Sequence, residues 1–81
     1  MTRTVYVSDR ILPDVKDTLV DELNSISINT ICLVYGLTYE LDDMYNINLY
    51  SLEEVTIYDD IDRWIPVAEW DEDEQRWKKV I

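Results

Sequence analysis

The sequence predicts an α+β domain: a small, mostly antiparallel sheet of three to five strands, closing in a C-terminal meander, with one amphipathic helix packed on one face. Three observations carry this reading. Apolar residues alternate near the N-terminus, recur at helical spacing over residues 13–26, and alternate again around acidic clusters in the last third.

Thr4-Val5-Tyr6-Val7 reads as the first strand, and Ser8-Asp9-Arg10 as the turn that follows it. Pro13 suits the first position of a helix, with Asp14 and Asp17 near its positive end. Val15, Leu19, Val20, Leu23 and Ile26 then share one face of a helix over 13–26. Residues 30–45 fit either form. Ile31 to Tyr35 is rich enough in β-branched residues for a buried strand, the reading we favour. A second helix capped by Asn29 or Thr30 is the alternative. Leu37, Tyr39 and Leu41 alternate after Gly36, and Asn46 to Tyr50 reads as extended. Ser51-Leu52-Glu53-Glu54 has the spacing of a capping box, enough for one helical turn.

The last third holds a weak repeat: an aromatic, an acidic cluster, Arg-Trp and a β-like ending, at Tyr58–Val67 and again at Trp70–Val80. Two hairpin turns account for it, with strands near 54–58, 63–70 and 75–81 and the acids at the turns. Pro66 marks a bulge or an edge. Trp64 and Trp70 lie six apart, so an unbroken strand sets them on one face, where Trp77 joins them across a hairpin. Such a cluster serves a core; the alternative use is an exposed anchor. Residues 1–81 read as one domain without a linker.

Eighteen acids against seven bases give a formal net charge of −11, while 47% of residues are apolar. Charge of this sign disfavours direct contact with nucleic acid or an anionic membrane and favours a basic partner. The single cysteine, Cys32, lies in an apolar run and admits no internal disulfide, as expected of a cytoplasmic protein. No apolar run approaches the ~20 residues of a membrane span, and no signal-peptide core is visible at the N-terminus.

The chain holds no histidine and one glycine, which removes the usual imidazole base, a zinc site and a glycine-rich phosphate loop. Ser8, Ser25, Ser27 and Ser51 have no base to activate them and read as caps and turns. Carboxylate pairs within Asp59-Asp60-Ile61-Asp62 or Asp71 to Glu74 fall in turns, where water screens them, so neither acid–base catalysis nor a calcium loop is expected. No catalytic residue, metal or cofactor is assigned.

The acids are segregated along the chain. Asp17 to Asp62 holds eleven acids and no base, and six of the seven bases lie towards the termini. A surface built only for solubility intersperses its signs, and clustered like charges repel. The sequence therefore points to a non-enzymatic acidic protein that occupies the basic surface of a nucleic-acid-handling protein. Its size, charge and cysteine poverty are similar in composition to the small anti-restriction and anti-CRISPR inhibitors of mobile elements, and no motif accompanies that likeness. The candidate contact residues are Asp42, Asp43, Glu53, Glu54, Asp59, Asp60, Asp62, Glu69, Asp71, Glu72, Asp73, Glu74 and Trp70. The competing reading is a general protein-binding module (an immunity protein, antitoxin or assembly factor) with Trp and Tyr anchors inside an acidic rim. Oligomeric state is left open, with a dimer among the alternatives.

Overall fold

The computed structural model describes residues 2–80. It is an α+β fold whose five strands form one mixed, mostly antiparallel sheet in the order β2-β3-β1-β4-β5. The strands are β1 (Thr4–Ser8), β2 (Leu37–Leu41), β3 (Ile47–Ser51), β4 (Trp64–Asp71) and β5 (Arg76–Lys79). The helices are α1 (Leu12–Val15), α2 (Leu19–Ser25) and α3 (Ile28–Tyr35), and a 3-10 segment spans Leu52–Asp60. Central β1 runs parallel to β3 and antiparallel to β4. β2–β3 and β4–β5 are antiparallel pairs.

The core lies between the sheet and the three helices. Val5 and Val7 of β1, Leu49 of β3 and Val67 and Ala68 of β4 are fully buried beneath Val15, Leu19 and Ile31. The alternation read in β1 and the face shared by Val15 and Leu19 are thus both used.

Residues 13–26 do not form the single helix expected. α1 stops at Val15, and α2 begins after Thr18, whose φ of −120° and ψ of −19° lie off the helix. Asp17 and Thr18 are weak helix formers, and the Thr18 hydroxyl lies 3.2 Å from the Tyr35 hydroxyl, in hydrogen-bonding contact. The interruption costs the apolar face little, because Val15 and Leu19 stay on one side.

Residues 31–35 are helical, against the strand favoured from composition. Ser27, rather than Asn29 or Thr30, is the cap and accepts from the Thr30 N–H at 3.2 Å; Gly36 closes the helix at φ 67°, a left-handed conformation suited to glycine. Between these stops Ile28, Ile31, Cys32 and Tyr35 recur at helical spacing against the core. Tertiary burial outweighs β propensity here. The alternation from Leu37 to Leu41 is a strand, as expected.

Residues 54–58 are not a strand either. Ser51 and Glu54 form the expected capping box, and the 3-10 segment continues past it with a kink at Ile57. The meander therefore shrinks to one C-terminal hairpin, β4–β5, and only the second acidic cluster sits in a hairpin turn.

Trp64 and Trp70 occupy opposite faces of the sheet. The β1–β4 register slips by one between Val5 and Tyr6, so the bulge places both Val67 and Ala68 on the core side. Trp70 packs edge-on against Trp77 at 5.4 Å on the helix side. Trp64 joins Tyr50 and Tyr58 on the far side, under the 3-10 segment. Pro66 lies one residue before this bulge, opposite Tyr6.

Candidate interaction surface

The topology brings two acidic turns to one end of the sheet. Because β3 runs parallel to β1 and β4 antiparallel, the start of β3 and the end of β4 both lie beside the start of β1. The loop 42–46 and the turn 72–75 therefore flank the N-terminal strand. Arg3 links the loop to β4: its Nε donates to the Tyr45 carbonyl at 2.9 Å, and its backbone carbonyl accepts from the Trp70 N–H at 2.9 Å. The Thr4 N–H adds a bond to Asn46 Oδ1 at 2.8 Å. With strands ~4.8 Å apart, the two turn centres stand about 14 Å apart, three strand spacings.

Each turn is built around one aspartate. Asp42 Oδ1 accepts from the backbone N–H of Met44 at 2.8 Å and of Asn46 at 2.9 Å, and Oδ2 accepts from the Asn46 side chain at 3.1 Å. Desolvation pushes the Asp42 carboxyl up, but these bonds outweigh it and hold the group below its ordinary value. Asp71 Oδ1 accepts from the N–H of Glu74 at 3.1 Å and of Asp73 at 2.9 Å. The Glu74 bond and the Lys78 ammonium, 3.1 Å away, hold Asp71 low as well. Lys78 also pairs with Glu74, and the two carboxylates raise its ammonium above the ordinary value.

The other candidate residues divide between this end and elsewhere. Asp43, Glu72, Asp73 and Glu74 are exposed on the two turns, and Glu69 is exposed on β4 opposite Lys78. Glu53, Asp59, Asp60 and Asp62 are exposed at the opposite end of the sheet, where Asp9 N–H meets the Arg63 carbonyl at 3.1 Å. Trp70 is half-buried in its pair with Trp77. Glu54 is only 2% exposed and is shielded from any partner. Its Oε1 accepts from Ser8 Oγ at 2.8 Å and from the Ser51 N–H at 2.9 Å, pinning the 3-10 segment to β1. Its Oε2 has no hydrogen-bond partner and lies 4.0 Å from Arg10 Nε. The buried Ser8 and the Glu54 carboxylate thus fasten the 3-10 segment to the sheet.

Tyr45 was not among the residues singled out from sequence. It is 65% exposed beside Asp42 and Asp43 and carries a φ of 63°. An aromatic residue in the left-handed region is costly, and Gln75 adopts the same conformation, with a φ of 54°, in the other turn. Spacing gave no hint of this; the conformation comes from the Asp42-centred loop.

Charge is segregated in space only in part, because the Asp71–Glu74 turn lies among Arg76, Lys78 and Lys79. Lys16, Arg76, Lys78 and Lys79 line a cleft of about 540 Å³ on the β5 side, together with Asp17, Asp21 and Glu74. The half built from α3, β2, β3 and the 3-10 segment has no base. Among the described residues no group of three or more acids or cysteines is placed to hold a metal ion, and no helix is long and apolar enough to cross a membrane. No protein-family model, curated protein or solved structure matches the chain.

Proposed function

We propose that the protein is a non-enzymatic binding protein of the cytoplasm whose acidic end docks into the phosphate-binding surface of a nucleic-acid-handling protein. The observation that supports this reading is the convergence of the Asp42–Asp43 loop and the Asp71–Glu74 turn at one end of the sheet. The two turns thereby offer two groups of carboxylates to a cradle built to hold phosphates. Such a cradle attracts the protein quickly at low salt and releases it as salt rises. Tyr45 supplies an amphipathic contact between the charges.

The test keeps the turns folded. Asp42 and Asp71 hold their loops, so Asp43→Asn, Glu72→Gln and Asp73→Asn are combined instead. Wild-type protein, immobilised and exposed to host lysate at low salt, retains nucleic-acid-binding proteins that elute on a salt gradient. The triple variant loses most of that retention. Equal retention by the variant, or capture only of proteins indifferent to nucleic acid, rejects the reading.

The Trp and Tyr anchor reading has narrower support. Trp64, Trp70 and Trp77 are engaged in intramolecular aromatic packing, which leaves Tyr45 as the exposed anchor.

A further inference from the structure

The two edges of the sheet are treated differently. The β5 edge is closed. The Trp77 N–H donates to Asn24 Oδ1 at 2.7 Å, and Asn24 Nδ2 donates to the Trp77 carbonyl at 2.9 Å. A side chain of α2 thus fills the positions an added strand needs, and Lys78 and Lys79 flank it with charge.

The β2 edge has no such guard. Leu37-Thr38-Tyr39-Glu40-Leu41 contains no lysine, arginine or proline and pairs with β3 in unbroken register. The direction of its free backbone groups follows from the hairpin's two ends. The Leu52 N–H bonds the Gly36 carbonyl at 3.0 Å, and the Asp42 N–H bonds the Asn46 carbonyl at 3.1 Å. Positions 36 and 42 therefore face β3, and the strand period of two turns the N–H and C=O groups of Leu37, Tyr39 and Leu41 outward. No strand lies there, because β2 is the last of the sheet.

Exposed apolar side chains gather on this same flank. Leu41 follows in β2, Met44 and Tyr45 in its loop, and Leu33 and Val34 lie on α3, which packs on β2. Leu33 is 85% exposed.

We propose that β2 pairs antiparallel with β2 of a second copy about a two-fold axis through Tyr39, joining two five-stranded sheets into one of ten strands. This register sets Tyr39 opposite Tyr39, Leu37 opposite Leu41 and Thr38 opposite Glu40, and turns outward groups into about six backbone hydrogen bonds. The match is self-complementary. Leu41 of one copy meets Leu37 of the other, which lines a mixed cleft with Val34, Leu52, Asp14 and Glu53. Each Glu40, already accepting from the Tyr50 hydroxyl at 3.2 Å, faces a threonine hydroxyl donor. A register centred on Glu40 sets two carboxylates directly opposite and is disfavoured.

Sedimentation of the full chain from about 5 µM to about 1 mM, at about 0.05 and 0.5 M salt, tests the pairing. A monomer–dimer equilibrium is expected, and it tightens with salt because each copy carries a net charge of −11. Thr38→Lys faces Glu40 of the second copy and strengthens the dimer about fivefold or more; Thr38→Glu weakens it by a similar factor. Thermal melting of each variant confirms that the fold is kept, and the Lys variant alone decides if the Glu variant fails to fold. A monomer at every concentration, assembly beyond the dimer, or a dimer indifferent to the charge at position 38 overturns the proposal. Docking through the acidic end weakens with salt while this association strengthens, so failure of one is distinguishable from failure of the other.

Discussion

At Asp42 and Asp71, ionised carboxylates accept backbone N–H bonds that hold a loop in shape. Both groups lie below their ordinary values, so the contribution is fully present above the unfolded aspartate value of ~3.9 and is lost as pH falls through the lowered folded values. The backbone amide resonances of Met44, Asn46, Asp73 and Glu74 are expected to stay in place from neutral pH down to about pH 4 and to move together below it. Movement well above that pH rejects the assignment. Tyr45 gives the opposite kind of test. Relieving its φ of 63° with Tyr45→Gly should stabilise the protein by about 0.5–1 kcal/mol, read by denaturant unfolding, while weakening capture of the partner. A loss of stability means the ring is needed for folding and removes it from the docking surface.

The elements show how far the sequence could be read. β1, β2, β3, β4 and β5 follow from alternation and turn residues close to where they were expected. α3 runs against local composition, in which Ile, Thr and Val outnumber strong helix formers, although Ser27 and Gly36 bracket a run with core residues at helical spacing. The 3-10 segment was half legible: its capping box was read from Ser51 and Glu54, but the kink that carries Tyr58 onto Tyr50 and Trp64 depends on the far side of the sheet. The bulge that splits Trp64 from Trp70 likewise lies in the partner strand's register and leaves no local mark beyond Pro66. Glu54 looked like one more surface acid. Its burial comes from meeting Ser8, forty-six residues away, a contact no spacing rule reports. Glu54→Ala removes the cap and that bond together and should cost about 2–3 kcal/mol in denaturant unfolding. A cost below about 0.5 kcal/mol shows that the segment is not held by this carboxylate.

For the whole molecule, the segregation of acids from bases is legible along the chain, and the fold keeps it in the half built from α3, β2, β3 and the 3-10 segment, while the Asp71–Glu74 turn lies among Arg76, Lys78 and Lys79. Two turns far apart in sequence share one end because β1 runs with β3 and against β4. The remaining acids at the opposite end and on the helices add to a repulsive field that salt screens, so the melting temperature should rise by several degrees between about 0.02 and 0.5 M salt. A flat profile shows that the carboxylates are well dispersed in space. The docking claim meets its most direct test in competition. A nucleic-acid-binding protein captured from lysate by the wild-type chain at low salt is challenged with duplex DNA. Release by DNA, together with failure of the Asp43→Asn, Glu72→Gln, Asp73→Asn variant to capture the same protein, is the expected result. Retention unaffected by DNA, or capture unchanged by the triple variant, contradicts the claim that the acidic end occupies a phosphate-binding surface.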